Sequence, residues 1–554
     1  MRAPMPEPLS VHRVLGGVPF AEVGEPLVTV RCEARGEIAV GGHLGDLFWS
    51  GRQVGGWDGH RVGVYGLPEL DCRQVVVTRW PVNSVDFHPS LPLLAVGTGA
   101  YDGGYQFEGE LLLVDLTDGS VVSALDHRRE VRRVHWRADG RALELVVAPP
   151  DEDATEDPFT HGFAAVLERE DWSRVAPGSV TYRELGGPRA RAGHDPDGAE
   201  RNPTQEAARA ELAALCAARG RRWSPRRQVW AVEATADGRV LAALEGVKLE
   251  SRLPSGEAEW SVPDPDGGHQ LYLCPGEESA WVNVSRPPRW KGSAWEDRPS
   301  TVERLSLADG STLDTAEVPF PAFLTADLDG RIALRDTRHD RPKSPVLLLT
   351  PGDREPAAAV VGGYDSSNQY FPVRHSPELL FLQGRKKKYW KDKWVVSVVP
   401  AADGGEPEVR RLFPLGWDTD RGGHLTGGPA VRLTAGAGPA GALVHAGELH
   451  HPHGRRPGYA FVVRRGFPDG AAQWVFTADH TVTALDTDGA TVFAALTSGE
   501  VVALDAADGT PHWRTRLTVD GAPTVPLSLA LAGAGRLLVG TVDGRILVCG
   551  FSAG

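Results

Sequence analysis

The sequence predicts an all-β fold made by repeating one four-stranded antiparallel unit. Three observations lead there. Short apolar or alternating runs of four to seven residues, rich in Val, Leu and Ala, recur along the chain, and alternation with a period of two is what a half-buried strand writes into a sequence. Asp-Gly and similar pairs stand between these runs, and such pairs make tight hairpin turns. At 554 residues the chain also exceeds the size at which one core stops growing, so it must divide or extend by repetition.

The unit is clearest at Val82-Asn-Ser-Val-Asp-Phe-His-Pro, Leu93-Leu-Ala-Val-Gly, Gly109-Glu-Leu-Leu-Leu-Val-Asp and Asp118-Gly-Ser-Val-Val-Ser-Ala-Leu, which supply strands a, b, c and d in order. It returns at Val131-Arg-Arg-Val-His-Trp, Val229-Trp-Ala-Val-Glu-Ala and Phe323-Leu-Thr-Ala-Asp-Leu, each followed by an Asp-Gly turn. This unit resembles the WD40 repeat, and the resemblance implies a β-propeller in which each four-stranded sheet is one blade. Near the C-terminus, Ser498-Gly-Glu-Val-Val-Ala-Leu-Asp-Ala-Ala-Asp-Gly-Thr-Pro-His-Trp513 resembles the repeat of quinoprotein-type propellers instead.

Copies start near residues 27, 82, 131, 228, 270, 321, 370, 428, 481 and 525. Single rings hold about four to eight blades. The expectation is therefore about 7–10 blades, in one wide ring or in two. The last copy ends at Gly554 without a strand d, and Ser10-Val-His-Arg-Val-Leu-Gly can supply it, closing an edge that otherwise invites aggregation. The organisation reads as residues 1–20, the closing segment; 21–185, blades; 186–227, a helical and Arg-rich insertion; and 228–554, blades. Within the insertion, Asn202-Pro-Thr-Gln starts a helix and Gly220 stops it, with Arg219, Arg221, Arg222, Arg226 and Arg227 around its end. It reads as a solvated surface insertion that can be removed without loss of the fold, or as a basic lid.

The a-to-b turns are short, whereas the b-to-c connections are long: His43 to Gly59, Ala100 to Glu108, Ala148 to His161, Ser285 to Ser300, Asp336 to Ser344, Gly384 to Asp392 and Ala446 to Gly458. In a WD40-type blade these share one face with the d-to-a connections. Long loops on a rigid scaffold carry function more often than short ones. Aromatics argue against disorder in them. The expected partner-binding residues are Trp49, Trp57, Tyr101, Tyr105, Phe107, Arg289, Trp290, Trp295, Lys386, Lys387, Lys388, Tyr389 and Trp390. Aromatic rings bury much area at an interface, and cations beside them suit an acidic protein or a polyanion. The acidic stretch Asp151-Glu-Asp-Ala-Thr-Glu-Asp makes the face mixed in sign, which favours a protein partner over nucleic acid.

Little else carries chemistry. His445, His450, His451 and His453 with Glu448 form a metal-like cluster, but they lie in a loop containing Pro and Gly. Asp486/Asp488 and Asp264/Asp266 lack the further oxygen ligands of a calcium loop and read as turns. No nucleotide, kinase or hydrolase signature is present, and the five cysteines stand singly, without the adjacent pair of alcohol-oxidising quinoproteins. No cofactor is expected. A formal net charge of −14 excludes a body that coats nucleic acid or an anionic membrane. With no signal-like or spanning segment, a cytoplasmic, bacterial scaffold is expected. The alternatives are a hydrolase- or lactonase-type enzyme with its site in the central channel, and a binder of polyanions through the Lys/Trp-rich loops.

Overall fold

The computed structural model describes residues 8–552, apart from 46, 50–51, 54–58, 192–202, 225–226, 287–288, 292–293, 297, 337–345, 353–356, 360–370, 385–392, 400–406, 416–423, 435–440 and 452–454. Within them, ten sheets of three or more strands, antiparallel but for one short parallel strand, follow one another along the chain. Nine of them open within a few residues of a start read from the sequence, at Glu25, Val82, Val131, Val229, Gln270, Ala322, His424, Val482 and Pro526; near the remaining start at 370 stands the short strand Val373–Arg374, and the sheet that follows it opens at Leu379. The fold is a β-propeller, nearly all β, with one α-helix among the described residues, α1 (Pro203–Ala217).

The sheets are numbered here 1 to 10 by those starts. Sheets 4 to 10 close a ring, and the apolar clusters between neighbouring sheets show it. Sheet 4 meets sheet 5 through Leu241 and Val282, sheet 5 meets 6 through Trp281 and Leu334, and 6 meets 7 through Ala333 and Phe381. Sheet 7 meets 8 through Leu382 and Phe461, 8 meets 9 through Val462 and Leu485, and 9 meets 10 through Phe493 and Leu547. Leu538 and Ile546 of sheet 10 then pack on Val232 and Ala242 of sheet 4, which completes the circle. At this last joint the sheets lie so close that a Cβ on Gly540 would stand 2.6 Å from Val229.

An aromatic ring over a glycine turn fastens several joints. Trp260 of sheet 4 packs on Gly310, and Trp474 of sheet 8 on Gly509, where an added Cβ would come within 2.8 and 2.7 Å of the indole. Each indole Nε1–H donates to a carbonyl of the neighbouring sheet, Leu307 at 3.2 Å and Ala506 at 3.1 Å. A buried indole needs such an acceptor. Gly310 and Gly509 have φ of +74° and +78°, so their positions require glycine twice over.

The outermost strand of sheet 10 is the N-terminal Leu9–Leu15, antiparallel to Ile546–Phe551 in a register that places Leu9 opposite Phe551 and Leu15 opposite Ile546. Leu9 joins the cluster between sheets 9 and 10, and Leu15 the one between 10 and 4. The chain thus enters the ring at its last sheet, leaves it, and returns at Val229.

What lies between is an arm. Sheets 1, 2 and 3 stack through Val64 on Leu94 and through Leu113 on Leu145, and this row does not close. It starts at α1, whose Leu212 and Cys216 are fully buried against Ile38, Val40 and Tyr65 of sheet 1. Helix α1 is therefore a cap and not a solvated insertion or a lid. An open row of sheets must cover its terminal apolar face, which the helix does. At the other end, sheet 3 turns outward a face carrying Arg133, His135, Glu144 and Glu168, which water can solvate. The arm is fixed to the ring by Leu44 and Leu47 against Val525 and Val542. Beside them Arg61 donates to the Pro523 carbonyl at 2.9 Å, and Arg545 pairs with Glu22.

Sheet 7 is irregular. Among the described residues it has three strands, and the two-residue strand Val373–Arg374 that precedes it pairs parallel with His424–Leu433 of sheet 8 instead. This places Arg374 at the ring axis.

Candidate functional sites

Two places gather aromatic or charged side chains from separate parts of the chain. The first is the tip of the arm, where the b-to-c connections of sheets 2 and 3 join. Asp102 Oδ1 accepts the backbone N–H groups of Gly104, Tyr105 and Gln106 at 2.7–2.9 Å, which fixes the first loop. Gln106 bridges to Asp151. The Tyr101 hydroxyl donates to Glu152 at 2.6 Å and the Tyr105 hydroxyl to Asp153 at 2.9 Å, so each loop holds the other. Those bonds push the Tyr101 phenol up to about 12 and raise Tyr105 as well, since ionising either would break a bond to a carboxylate.

Below them the rings of Tyr101, Phe107 and Phe159 meet at 5.1–5.2 Å, and Arg132 lies 4.9 Å from the centre of Phe107. Phe107 is buried; Tyr105 and Phe159 remain 42% and 41% exposed. Of the expected partner-binding residues, the structure therefore brings Tyr101, Tyr105 and Phe107 together, buries the last, and adds Phe159. That ring was missed because a single Phe beside an acidic run has no local signature.

The others fall elsewhere. Trp49 lies in a short hairpin, Phe48–Trp49 with Arg52–Gln53. Arg289 and Trp290 pair with Glu296 and Trp295 in a second hairpin. Trp57, Lys386, Lys387, Lys388, Tyr389 and Trp390 lie outside the described residues.

The second place is the ring axis. The bore holds a cavity of about 70 Å³ between the innermost strands. At its end on the a-to-b turn side stands a charged cluster drawn from sheets 4 and 9 and from Arg374 and His375. The guanidinium bonds Glu233 through both terminal nitrogens, at 2.8 and 2.9 Å, and lies 3.4 Å from Asp486. Asp486 also accepts the Leu531 and Thr487 N–H groups at 2.8 and 2.9 Å and the His375 Nε2–H at 2.6 Å. Burial alone would raise Asp486; the charge of Arg374 and the bond from His375 outweigh it and bring its carboxyl down to about 2. Glu233 is raised, burial outweighing Arg374. The Asp486/Asp488 pair is thus divided. Asp488 caps a turn, accepting Ala490 and Thr491 N–H. Asp486 faces the axis. The cluster was not visible in the sequence because its members come singly from separate sheets.

The described members of the histidine group do not come together. His445 and His450 lie on one strand, Ala442–His450, five residues apart, and therefore on opposite faces. His445 is in the core between Phe371 and Phe461, its Nδ1–H on the Ala446 carbonyl at 3.2 Å and its Nε2 accepting from Arg465 at 3.1 Å. Burial, with the charge of Arg465, holds it down to about 3, so it is a neutral core histidine. His450 stands 3.4 Å from Glu448, His451 is next to it at the surface, and His453 is outside the described residues. Among the described residues no three His, Cys, Asp or Glu side chains are placed to hold a metal. Asp266 accepts from Arg286 and Arg298 at 3.0 and 2.6 Å, and Asp264 lies 3.3 Å from Arg286, so that acid pair ties down the loop after Val284.

No family model matches the chain, and no curated protein does. Among solved structures the chain is similar to BamB from Moraxella catarrhalis, at 14% identity over 59% of this chain and 87% of that one, with a TM-score of 0.35. The fold assignment stands on the sheets and joints described above. Among the described residues no helix is long and apolar enough to cross a membrane.

Proposed function

We propose that this chain is a non-catalytic scaffold that holds a protein partner on the tip of its arm. The observation that carries the reading is the pair of b-to-c loops locked together so that Tyr105 and Phe159 stand exposed among Asp102, Asp151, Glu152 and Asp153. Two loops each fixed by the other lose little entropy on binding, and exposed aromatics are the usual anchors of an interface. The carboxylates around them suit a partner surface bearing Lys or Arg. The arm itself supports the reading: a ring closed by its own strands does not need three further sheets.

Catalysis in the channel has one observation in its favour, the Asp486–His375 pair. The carboxylates beside it are matched by Arg374 and by backbone N–H groups, as they are in a structural tie. Affinity capture with the full chain and with a Tyr105→Ser/Phe159→Ser variant tests the scaffold. A partner held by the first and lost by the second, at equal melting temperature, is expected. A partner held equally by both removes the tip from the interface.

A further inference from the structure

The channel mouth on the a-to-b turn side opens into a pocket of about 430 Å³, bounded by Glu233, Tyr272, Glu277, Asp327, His375 and Asp486 among others. A pocket of that size accepts a small ligand or one long side chain. Its chemistry is asymmetric. Four carboxylates line it, Glu233, Glu277, Asp327 and Asp486, against one guanidinium, Arg374. Arg331 offsets Asp327 at 2.7 Å.

The polar atoms left over at the mouth include two possible acceptors and one donor. Glu277 Oε2 takes the Ala236 N–H at 2.6 Å, and its Oε1 has no partner among the described residues. His375 Nε2 lies 2.6 Å from Asp486, and Nδ1 of this 44% exposed side chain has no hydrogen bond among the described residues. Glu277 and His375 both have left-handed backbones, φ +54° and +56°. Non-glycine residues hold that conformation at a cost, and such residues gather at binding sites. Deeper, Arg374 lines both the mouth and the bore, and its buried Nε–H has no acceptor.

We propose that this mouth binds the ammonium or guanidinium group of a basic amino acid or basic residue, with Glu277 Oε1 and His375 Nδ1 accepting from the cation. Pro275, Leu328 and Leu531 flank the aliphatic stem, and Arg374 Nε–H is the donor available to a carbonyl or carboxylate of the same ligand. The cation arrives free or on a partner's side chain; the chemistry of recognition is the same. The site lies on the ring, so it stands or falls independently of the arm tip.

Isothermal titration of the full chain tests it with three probes: agmatine, N-acetylarginine amide and N-acetylcitrulline amide, the last a neutral near-isostere. Binding tighter than about 1 mM by at least one of the cationic probes, and at least tenfold weaker binding of the citrulline compound, is expected. Glu277→Gln keeps the acceptor for Ala236 and should weaken the cation at least fivefold at unchanged melting temperature. His375→Asn, which tolerates a left-handed backbone, should weaken it as well. Binding of agmatine without the blocked arginine supports a free cation as the ligand, and the reverse supports a partner's side chain. Absence of heat with both cations, equal binding of citrulline, or indifference to both substitutions overturns the proposal. The Tyr105→Ser/Phe159→Ser variant should bind the probes as the parent does.

Discussion

Replacing Leu212 by Ala tests whether the helix belongs to the arm's core. Leu212 is completely buried, packed with Phe20, Val23, Ile38, Val40 and Tyr65 under α1. Truncating a fully enclosed Leu costs about 2–5 kcal/mol, the transfer of the lost methyls plus the cavity they leave. A row of sheets is held only by nearest neighbours, so the loss should fall on sheet 1 before the closed ring feels it. A value near 3 kcal/mol raises the population of the opened state about 100-fold. Native-state hydrogen exchange reads this in the strands Glu37–His43 and His60–Gly66, whose amides should exchange faster by about that factor while those of Ile546–Phe551 stay unchanged. Arg209→Ala, which takes from the helix the cation paired with the buried Glu25 of sheet 1, should loosen the same strands. Unchanged exchange in sheet 1 for Leu212→Ala would refute the capping role and restore the helix as a dispensable insertion.

Three further outcomes follow from the ring. Removing residues 1–16 strips Leu9–Leu15 from Ile546–Phe551 and bares a strand edge; the melting temperature should fall and light scattering on heating should rise, and neither changing would remove that strand from the ring's closure. Arg374→Met leaves Glu233 buried without its cation, which costs about 3–5 kcal/mol; denaturant melts should show the loss, and Arg374→Met with Glu233→Gln should recover part of it. Acid should weaken the fold early: burial holds His60 down to about 4 and His269 and His445 down to about 3. Because these folded values lie below the ordinary histidine value of about 6.5, the unfolded chain takes protons first as pH falls. Their contribution is then complete above about 6.5 and declines toward pH 3. Urea midpoints at several pH values should fall over that range, less steeply for His445→Gln, and a flat profile would contradict the neutral burial of these rings.

The repeat was legible because each strand writes its own alternation and each turn its own Asp-Gly. The starts near 82, 131 and 270 coincide with Val82, Val131 and Gln270 to the residue. The division into ring and arm was not legible. It depends on which sheet's face meets which, as Leu538 meets Val232, and the local pattern of either strand is the same whatever its neighbour. Helix α1 was readable from Asn202-Pro-Thr-Gln and Gly220, but nothing in it names Ile38 and Val40 as its floor. The axial cluster brings together Glu233, Arg374 and Asp486 across 253 residues, each an ordinary charged residue in its own strand. At the tip, the aromatic residues of the 101–107 loop were readable as a group, but Phe159 and the hydroxyl-to-carboxylate bonds that join the loops were not.

Hydrogen–deuterium exchange on the complex with the captured partner tests the scaffold reading most directly. The account predicts protection concentrated at residues 101–107 and 151–161, with the ring's outer strands unchanged. Protection confined to the ring, with both tip loops exchanging as they do in the free chain, would contradict it.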